Sequence, residues 1–374
     1  MPQFHPLNFV FPNNPQSQVM NSLDSYTNDE INRLKNKNKE GFINVIRPNT
    51  IKERSPALVR RIWKKFILKK WYQKQLKPLM YFYEISTKTD QYNGFLGGIQ
   101  TDDFKKHKIT IHEKTFPKRI QQMANYIEKV QIQAEPVVVI HENNPPESLS
   151  PIIFKQKSCE MDFNFEGVRH QLWALNKVQE KTLENWAENE KYFHLADGHH
   201  RIECMNYLSD KIKKPLNISS FLLHQSQIQL QAFIWFLEDP FKKETKLQIE
   251  HLIIQNKGDE ISLSEFTNND LPLVMKLNDK YFGFKKLNLN TKNIPAFIHD
   301  KLLGGFPEIK QKMKYFPQDK NSFNQVNSNE MIFLMKPLSK KFLFENAKTN
   351  KTLPQKSTYI LPKMLTGMVV SSVY

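Results

Sequence analysis

The chain has 374 residues, enough for two domains or one large elaborated domain, and its two cysteines, Cys159 and Cys204, exclude a disulfide framework and a multi-cysteine zinc site. No run approaches the ~18 apolar residues of a membrane span, and the start lacks a signal-peptide layout, so we expect a cytoplasmic protein with no membrane partner. The net charge of +16 favours polyanionic partners such as nucleotide or nucleic acid.

The first part of the chain predicts a polar loop and then a basic amphipathic helix. Residues 12–40 are rich in asparagine and predict loop with one short helix near residues 28–34. Residues 52–77 carry ten Lys/Arg against one acid, Glu53. An apolar stripe at helical spacing runs through this segment, at Val59, Ile62, Trp63, Phe66, Ile67 and Trp71. The lysines are therefore interpreted as the solvated face of a packed helix rather than as a binding site.

The next part of the chain interleaves strands and helices without repeats. Strands are predicted at residues 81–87, 94–103, 108–113, 135–141, 161–165, 168–175, 192–196 and 217–224, with a hairpin turn at Glu166-Gly167. Helices are predicted at residues 116–133 and 178–190, and another begins near Ile202. This order favours a mixed α/β (α+β) core.

Beyond about residue 226 the spacing of apolar residues becomes less regular and more typical of helices. Helices are predicted at residues 227–237, 246–255 and 294–303, a hairpin at 271–277 and 280–287, a turn at 317–320 and a strand at 331–334. We therefore predict two domains, an α/β core over residues 1–225 and a C-terminal α+β region over residues 226–374.

One stretch concentrates polar groups between a buried strand and a helix. After Tyr192 to Ala196 come Asp197, Gly198, His199, His200 and Arg201. A strand–turn–helix junction leaves the first helical N–H groups pointing outward at the positive end of the helix dipole, which suits an anion. The glycine allows close approach, and the imidazoles and guanidinium add donors suited to phosphate. The turn therefore predicts a phosphate or nucleotide site at these five residues.

Structural alternatives stand beside this hypothesis. Asp197 would then be only the N-cap of the helix, the histidines would be packing residues, and Arg201 would pair with Glu203 or Glu190.

Phosphoryl transfer also needs an oriented hydroxyl nucleophile and charge neutralisation. Glu113, beside His112, is the candidate for the base that takes the hydroxyl proton. Its alternative is a surface pair with Lys114 or Lys118. His112 and His199 complete the candidate catalytic set.

Further residues are candidates for binding a metal ion or the substrate. Asp197 or Glu203 would ligate Mg²⁺. Lys356, Ser357, Thr358 and Lys363 would bind a carboxylate or phosphate if the C-terminus folds back, although the favoured interpretation of this stretch is a strand and turn that close the fold.

Other chemistries lack their motifs. No Gly-x-x-x-x-Gly-Lys-Ser/Thr loop or Gly-x-Gly-x-x-Gly is present, which disfavours the common nucleotide folds. His112-Glu113 lacks the second histidine of a His-Glu-x-x-His zinc site. Cys204 has no partner cysteine, which disfavours disulfide chemistry.

Two motifs carry a family resemblance. Ala196-Asp-Gly-His-His-Arg201 and the upstream Ile111-His-Glu-Lys-Thr115 resemble the bacterial and archaeal family catalogued as domain of unknown function 1015. Residues 41–48, 81–83, 94–97, 170–173 and 356–367 fit the same family in the same order. The family is similar to the sulfiredoxin/ParB-like nucleotide-binding group, some of whose members phosphorylate free serine. The resemblance implies a mixed-sheet ParB/sulfiredoxin-like core, ATP or ADP with Mg²⁺, and substrate contacts from Arg47 and Thr115.

The chain departs from the family pattern in two places. Ser22-Leu-Asp-Ser-Tyr-Thr27 replaces a Pro-Tyr-Asp turn near the family's presumed active site, so activity would be lost if that turn holds substrate or metal. An Asp/Arg-rich stretch expected after Leu303 is also replaced, and nothing catalytic is carried over to it.

These observations lead to three alternative functions. The first is an enzyme that uses ATP or ADP to phosphorylate a small hydroxylated metabolite such as free serine. The second is a non-enzymatic ParB-like protein that binds nucleotide or, less favoured, nucleic acid. The third is a degenerate, inactive family member.

Overall fold

The computed structural model describes residues 1–47, 55–237, 242–268, 271–287, 293–318, 331–349 and 351–374. These residues belong to two compact units. Unit 1 comprises Met1–Ile111, Thr115–Ile228 and Pro362–Tyr374, and unit 2 comprises His112–Lys114 and Gln229–Leu361. Residues 362–374 therefore lie with the N-terminal unit rather than with the C-terminal region in which the sequence analysis placed them.

Unit 1 is built from strands and helices in alternation. Its strands are β1 (Phe9–Pro12), β2 (Tyr72–Lys74), β3 (Tyr81–Ser86), β4 (Gln91–Gln100), β5 (Ile109–Thr110), β6 (Ile132–Gln133), β7 (Val137–His141), β8 (Met161–Phe165), β9 (Val168–Ala174), β10 (Phe193–Asp197), β11 (Asn217–His224) and, near the C-terminus, β20 (Val370–Ser372). Its helices are α1 (Pro15–Gln18), α2 (Asn28–Lys37), α3 (Ile43–Ile46), α4 (Pro56–Leu68), α5 (Thr101–Lys105), α6 (Pro117–Val130), α7 (Pro151–Lys155), α8 (Lys177–Ala187) and α9 (His199–Ile212), with 3-10 turns at Leu23–Ser25, Glu147–Leu149 and Gln225–Gln227.

A mixed sheet organises this unit. Within the described residues its strand order is β5-β10-β7-β11-β4-β3-β9-β8, in which β10 runs parallel to β5 and β11 parallel to β7 while the other pairs are antiparallel. A smaller antiparallel sheet has the order β2-β1-β20-β6. The predicted mixed α/β core is confirmed by this architecture. Phe193 and Leu195 of β10 pack into the same buried cluster as Ile202 and Leu208 of α9, which anchors the junction between the two elements.

Unit 2 is an antiparallel sheet with short helices. Its strands are β12 (Gln229–Gln231), β13 (Phe233–Leu237), β14 (Asp259–Ile261), β15 (Leu273–Leu277), β16 (Lys280–Gly283), β17 (Lys314–Pro317), β18 (Met331–Met335) and β19 (Tyr359–Leu361). Its helices are α10 (Lys243–Gln255), α11 (Leu263–Asn268), α12 (Ile294–Phe297), α13 (Pro307–Lys312) and α14 (Lys340–Lys348), with a π-helical turn at Ile298–Leu302. Over the described ranges the main sheet has the order β14-β16-β15-β18-β13-β17, and β12 pairs with β19.

Several predicted elements differ from the structure. The helix predicted at residues 227–237 is wrong, because this stretch forms β12 and β13. All five residues of β13 are buried, and a short run that is buried on both faces carries no period that separates strand from helix. The strand predicted to residue 103 ends at Gln100 and passes into α5, and the strand predicted at 108–113 is ordered as β5 over Ile109–Thr110 alone. The turn predicted at 317–320 extends beyond the described residues.

No helix in the described part of the chain is both long enough and apolar enough to cross a membrane.

Candidate functional site

The backbone between β10 and α9 makes a tight turn at Gly198. Gly198 has φ of 98°, in the left-handed region, and a Cβ there would lie 2.6 Å from Cγ1 of Val137. Pairing of β10 with β7 shifts register between Leu195 and Asp197, which marks an irregularity at the end of the strand. Both the torsion and the close approach of β7 require glycine at this position.

Asp197 lies between two cations. Its Oδ2 accepts from Nη2 of Arg201 and its Oδ1 from Nζ of Lys363, both at 2.5 Å. Burial by itself would raise the pKa of Asp197, but the positive charges of Lys363 and Arg201 outweigh it and hold that pKa well below its usual range. The carboxylate is therefore ionised at neutral pH.

Arg201 ties the turn to the start of β7. Its Nη1 donates to the carbonyl oxygens of Glu135 at 3.1 Å and Pro136 at 2.7 Å, and it lies 3.3 Å from Oε2 of Glu135. The hydroxyl of Thr366 donates to the other carboxylate oxygen of Glu135. Arg201 pairs with Asp197 and Glu135, so its predicted alternative partners, Glu203 and Glu190, are wrong. Its guanidinium holds the conformation of the turn.

The N-terminus of α9 has no side-chain cap. Its N-cap residue is Gly198, no acidic residue lies in its first turn, and its first backbone bond runs from Ile202 N–H to the Gly198 carbonyl at 3.0 Å. By contrast, α2 and α8 begin with capping boxes at Thr27 and Asn176. The alternative that Asp197 is the N-cap is therefore wrong, and the positive end of the α9 dipole is not neutralised by a carboxylate within that turn.

The first residues of α9 include four further side chains considered in the sequence analysis. His199 is buried, and His200 is partly buried with its ring 6.5 Å from that of Phe116. Burial raises the pKa of Glu203, and it raises the pKa of the Cys204 thiol to about 12, so Cys204 is not a reactive thiolate at neutral pH.

A resident metal has little support at this turn. Among the described residues no group of three or more His, Cys, Asp or Glu side chains is placed to hold a metal ion. Both oxygens of Asp197 face cations, which opposes a divalent metal there.

A second group of predicted residues lies together in unit 2. Nε2 of His112 is 3.0 Å from the hydroxyl of Thr358, and both side chains are buried. Glu113 forms an isolated parallel bridge with Leu353. The Ser357 hydroxyl donates to the Pro354 carbonyl at 2.6 Å. His112 and Thr358, distant in sequence, are thus brought into contact.

Two lysines that the sequence analysis grouped near the C-terminus, Lys356 and Lys363, lie in different units. Lys356 Nζ lies 5.2 Å from the centre of the Phe233 ring, and its carbonyl accepts from the Trp235 indole at 3.0 Å. Lys363 instead contacts Asp197 in unit 1. The structure therefore divides the predicted 356–363 cluster between two environments.

The remaining predicted residues lie in unit 1. Arg47 is the C-cap of α3 and lies near Tyr126, and Thr115 is partly exposed. The stretch that replaces the family's Pro-Tyr-Asp turn is well structured: a 3-10 turn precedes Thr27, whose side chain and that of Glu30 cap α2 reciprocally.

Sequence reasoning missed two polar networks in unit 1. Glu135 binds Arg201 and accepts from the Thr366 hydroxyl, and the only sequence indication of this network is a carboxylate at the start of an apolar strand. The Thr110 hydroxyl lies 2.6 Å from Nδ1 of His194, whose Nε2 lies 2.8 Å from Oε1 of Glu142. The His194 imidazole thus links the Thr110 hydroxyl to the Glu142 carboxylate. A lone histidine inside the apolar run of β10 was the available indication.

The solved structures that align with this chain have low sequence identity to it. SbnI with C-terminal truncation from Staphylococcus aureus aligns with a TM-score of 0.44 and 14% identity over 71% of this chain and 82% of that one. A free serine kinase in complex with AMP aligns with a TM-score of 0.41 and 12% identity over 75% and 93%. A conserved hypothetical protein from Pyrococcus furiosus aligns with a TM-score of 0.39 and 11% identity over 72% and 93%.

Sequence comparison carries the assignment. No curated protein matches the chain. The family model described as protein of unknown function (DUF1015) matches residues 10–237, more than half of the chain and including both the Glu113 and the Asp197–Arg201 motifs. The chain therefore belongs to the DUF1015 family.

Proposed function

We propose that the turn between β10 and α9 binds a phosphate group of ATP or ADP. The observation that carries this proposal is the N-terminus of α9, where Gly198 supplies no cap and the first turn contains two imidazoles and no carboxylate. Helix N-terminal N–H groups and the helix dipole favour an anion.

The charges around the turn define which groups attract the phosphate. Arg201 and Lys363 are balanced by Asp197 and Glu135, so these four side chains together carry no net charge. In the proposal their role is to hold the turn rigid, as an anion site requires. The attraction then comes from the first-turn N–H groups of α9, its dipole, and His199 and His200.

We further propose that the bound nucleotide phosphorylates a small hydroxylated metabolite, with free serine as the first candidate. This step is motivated by the family's resemblance to proteins that phosphorylate serine. Glu113 is assigned as the base, which must come within hydrogen-bond reach of the acceptor hydroxyl during the reaction. Thr358 orients the imidazole of the adjacent His112, and Mg²⁺ enters with the nucleotide.

The test uses purified full-length protein with ATP or ADP, Mg²⁺ and serine. We expect calorimetric binding of ADP and formation of phosphoserine detected by mass spectrometry. Glu113→Gln should reduce phosphoserine formation by at least ~100-fold, the usual contribution of a general base, and leave ADP affinity unchanged. The exposed Glu147→Gln serves as the matched control and should behave as the parent chain. Undiminished turnover by Glu113→Gln would contradict the assignment of the base, and absent ADP binding would contradict the phosphate site.

A second function, nucleotide binding without turnover, is favoured by one feature. Asp197 is held by two cations, so the turn does not present it as a metal ligand. This alternative predicts ADP binding with no phosphoserine from any nucleotide. Salt dependence distinguishes this alternative from nucleic-acid binding. Affinity for a phosphate backbone falls steeply as the salt concentration rises, whereas affinity for a small nucleotide falls less.

A further inference from the structure

The stretch from Arg60 to Lys77, which contains most of α4 and all of β2, concentrates cations that form no ion pair with the described residues. We define the basic segment as Arg60, Arg61, Lys64, Lys65, Lys69, Lys70, Lys74 and Lys77, all exposed. None of the eight forms an ion pair with another described residue, and no acidic residue occurs between residues 54 and 83. Many lysines elsewhere are paired, for example Lys108 with Asp103, Lys155 with Glu84 and Lys211 with Glu128. The basic segment is therefore a local excess of positive charge.

The orientation of α4 fixes which side chains face outward. Its inner face packs Val59, Trp63 and Phe66 into a core cluster. Residues four apart share one side of a helix, so two outward rows run along α4, one of Arg60, Lys64 and Leu68 and the other of Arg61, Lys65 and Lys69. Leu68 thus continues a row of cations.

Two leucines in this segment are exposed to an unusual degree. Leu68 is 83% exposed and Leu76 is fully exposed, the highest values among the large apolar side chains of the described residues. Single exposed apolar residues are ordinary. Here both of the most exposed ones lie among the lysines of one segment. Trp71, between them in the sequence, is half-buried, and the ammonium group of Lys69 lies 4.7 Å from its ring centre.

We propose that the basic segment docks on an anionic lipid surface. Its cations complement the negative headgroups, with each Lys or Arg near such a surface contributing to binding, and Leu68 and Leu76 enter the boundary between headgroups and acyl chains. A nucleic-acid backbone offers the same charge but no apolar layer for the two leucines, and the Trp71 ring that would stack on a base is covered by Lys69. This proposal departs from the expectation, drawn from the sequence, that the chain has no membrane partner and that these lysines are only a solvated face. Such docking needs no membrane-spanning segment.

The test is co-sedimentation of the full-length protein with phosphatidylcholine vesicles with and without phosphatidylserine. We expect binding only to the vesicles with phosphatidylserine, weakening as salt rises. Lys64→Ala with Lys65→Ala should weaken binding about thirtyfold, because two cations near the lipid surface are lost. Leu68→Gln with Leu76→Gln should weaken it at least ~tenfold.

Matched controls come from unit 2. Lys285→Ala with Lys286→Ala removes another exposed lysine pair, and Leu247→Gln with Leu263→Gln removes two other exposed leucines, so both should bind as the parent chain does. Equal binding to neutral vesicles would overturn the proposal. So would parental affinity in either test variant, or binding to a DNA duplex with none to phosphatidylserine vesicles.

Discussion

The carboxylate of Asp197 binds two cations at the turn. Its oxygens bind Lys363 and Arg201, one from the C-terminal segment and one from the first turn of α9. Its side chain is only 28% exposed, so the two contacts are shielded from solvent more than a surface ion pair would be. The contribution of Asp197 to stability should therefore exceed that of an exposed aspartate.

Asp197→Asn should lower the free energy of unfolding by about 2 kcal/mol, because hydrogen bonds to charged groups are lost and two cations keep only Glu135 as a counter-charge. Urea titration at neutral pH measures the change. Asp210→Asn, which removes a 62% exposed partner of Lys105, is the matched control and should change stability by less than ~0.5 kcal/mol. Equal effects of the two substitutions would contradict the role given to Asp197.

The difference in stability between the parent chain and Asp197→Asn should depend on pH. The pKa of Asp197 is lower in the folded chain than the ~3.9 of an unfolded carboxyl group, so its stabilisation is complete above about pH 5. It is lost as pH falls below about 4 towards the folded pKa. The stability gap between parent and Asp197→Asn should therefore stay constant from neutral pH to about pH 5 and narrow below it.

At the scale of elements, the junction of β10 with α9 depends on one glycine. Gly198 combines a left-handed torsion with close approach of Val137, whereas Gly167 in the β8–β9 hairpin has a left-handed torsion and open space. Gly305 has open space and no left-handed torsion. Comparison of these three glycines distinguishes the torsional from the steric reason for glycine at position 198.

Alanine substitution should rank the three sites. Gly198→Ala should lower the free energy of unfolding by about 2–4 kcal/mol, since strain and overpacking add. Gly167→Ala should cost about 1 kcal/mol from the torsion alone, and Gly305→Ala should lie within ~0.5 kcal/mol of the parent. Thermal and urea unfolding measure the order, and a Gly198→Ala variant no less stable than Gly167→Ala would contradict the close packing against β7.

At the scale of the whole molecule, the C-terminal segment completes unit 1. β20 lies between β1 and β6 in the four-stranded sheet, and the Gly367 carbonyl accepts from the Tyr72 hydroxyl at 2.9 Å. The same segment supplies Lys363 to Asp197 and Thr366 to Glu135. It joins the sheet and the turn within one unit.

Deletion of residues 362–374 should disrupt the tertiary structure of unit 1, because β1 and β6 lose their shared partner and the turn loses two contacts. Near-ultraviolet circular dichroism should fall while much of the far-ultraviolet signal persists. Deletion of the exposed Tyr374 alone should leave both spectra intact. A full deletion with native near-ultraviolet ellipticity and parental stability would show that the segment is dispensable.

The sequence by itself determined the elements around the turn, the need for an unusual residue at position 198, and the family. These are local properties: apolar runs predict β7 and β10, helical spacing predicts α9, and glycine between them predicts the tight turn. Where the local pattern was ambiguous, as in the wholly buried β13, the strand was mistaken for helix.

Only the tertiary structure decided which side chains meet. Lys363 is 166 positions from Asp197, and His112 is 246 positions from Thr358. No periodicity encodes such contacts, since they depend on how distant strands pair and pack. The sequence therefore specified Asp197 and Arg201 as candidates, whereas the fold decided that they bind each other, that Asp197 also binds Lys363 and that Arg201 also binds Glu135.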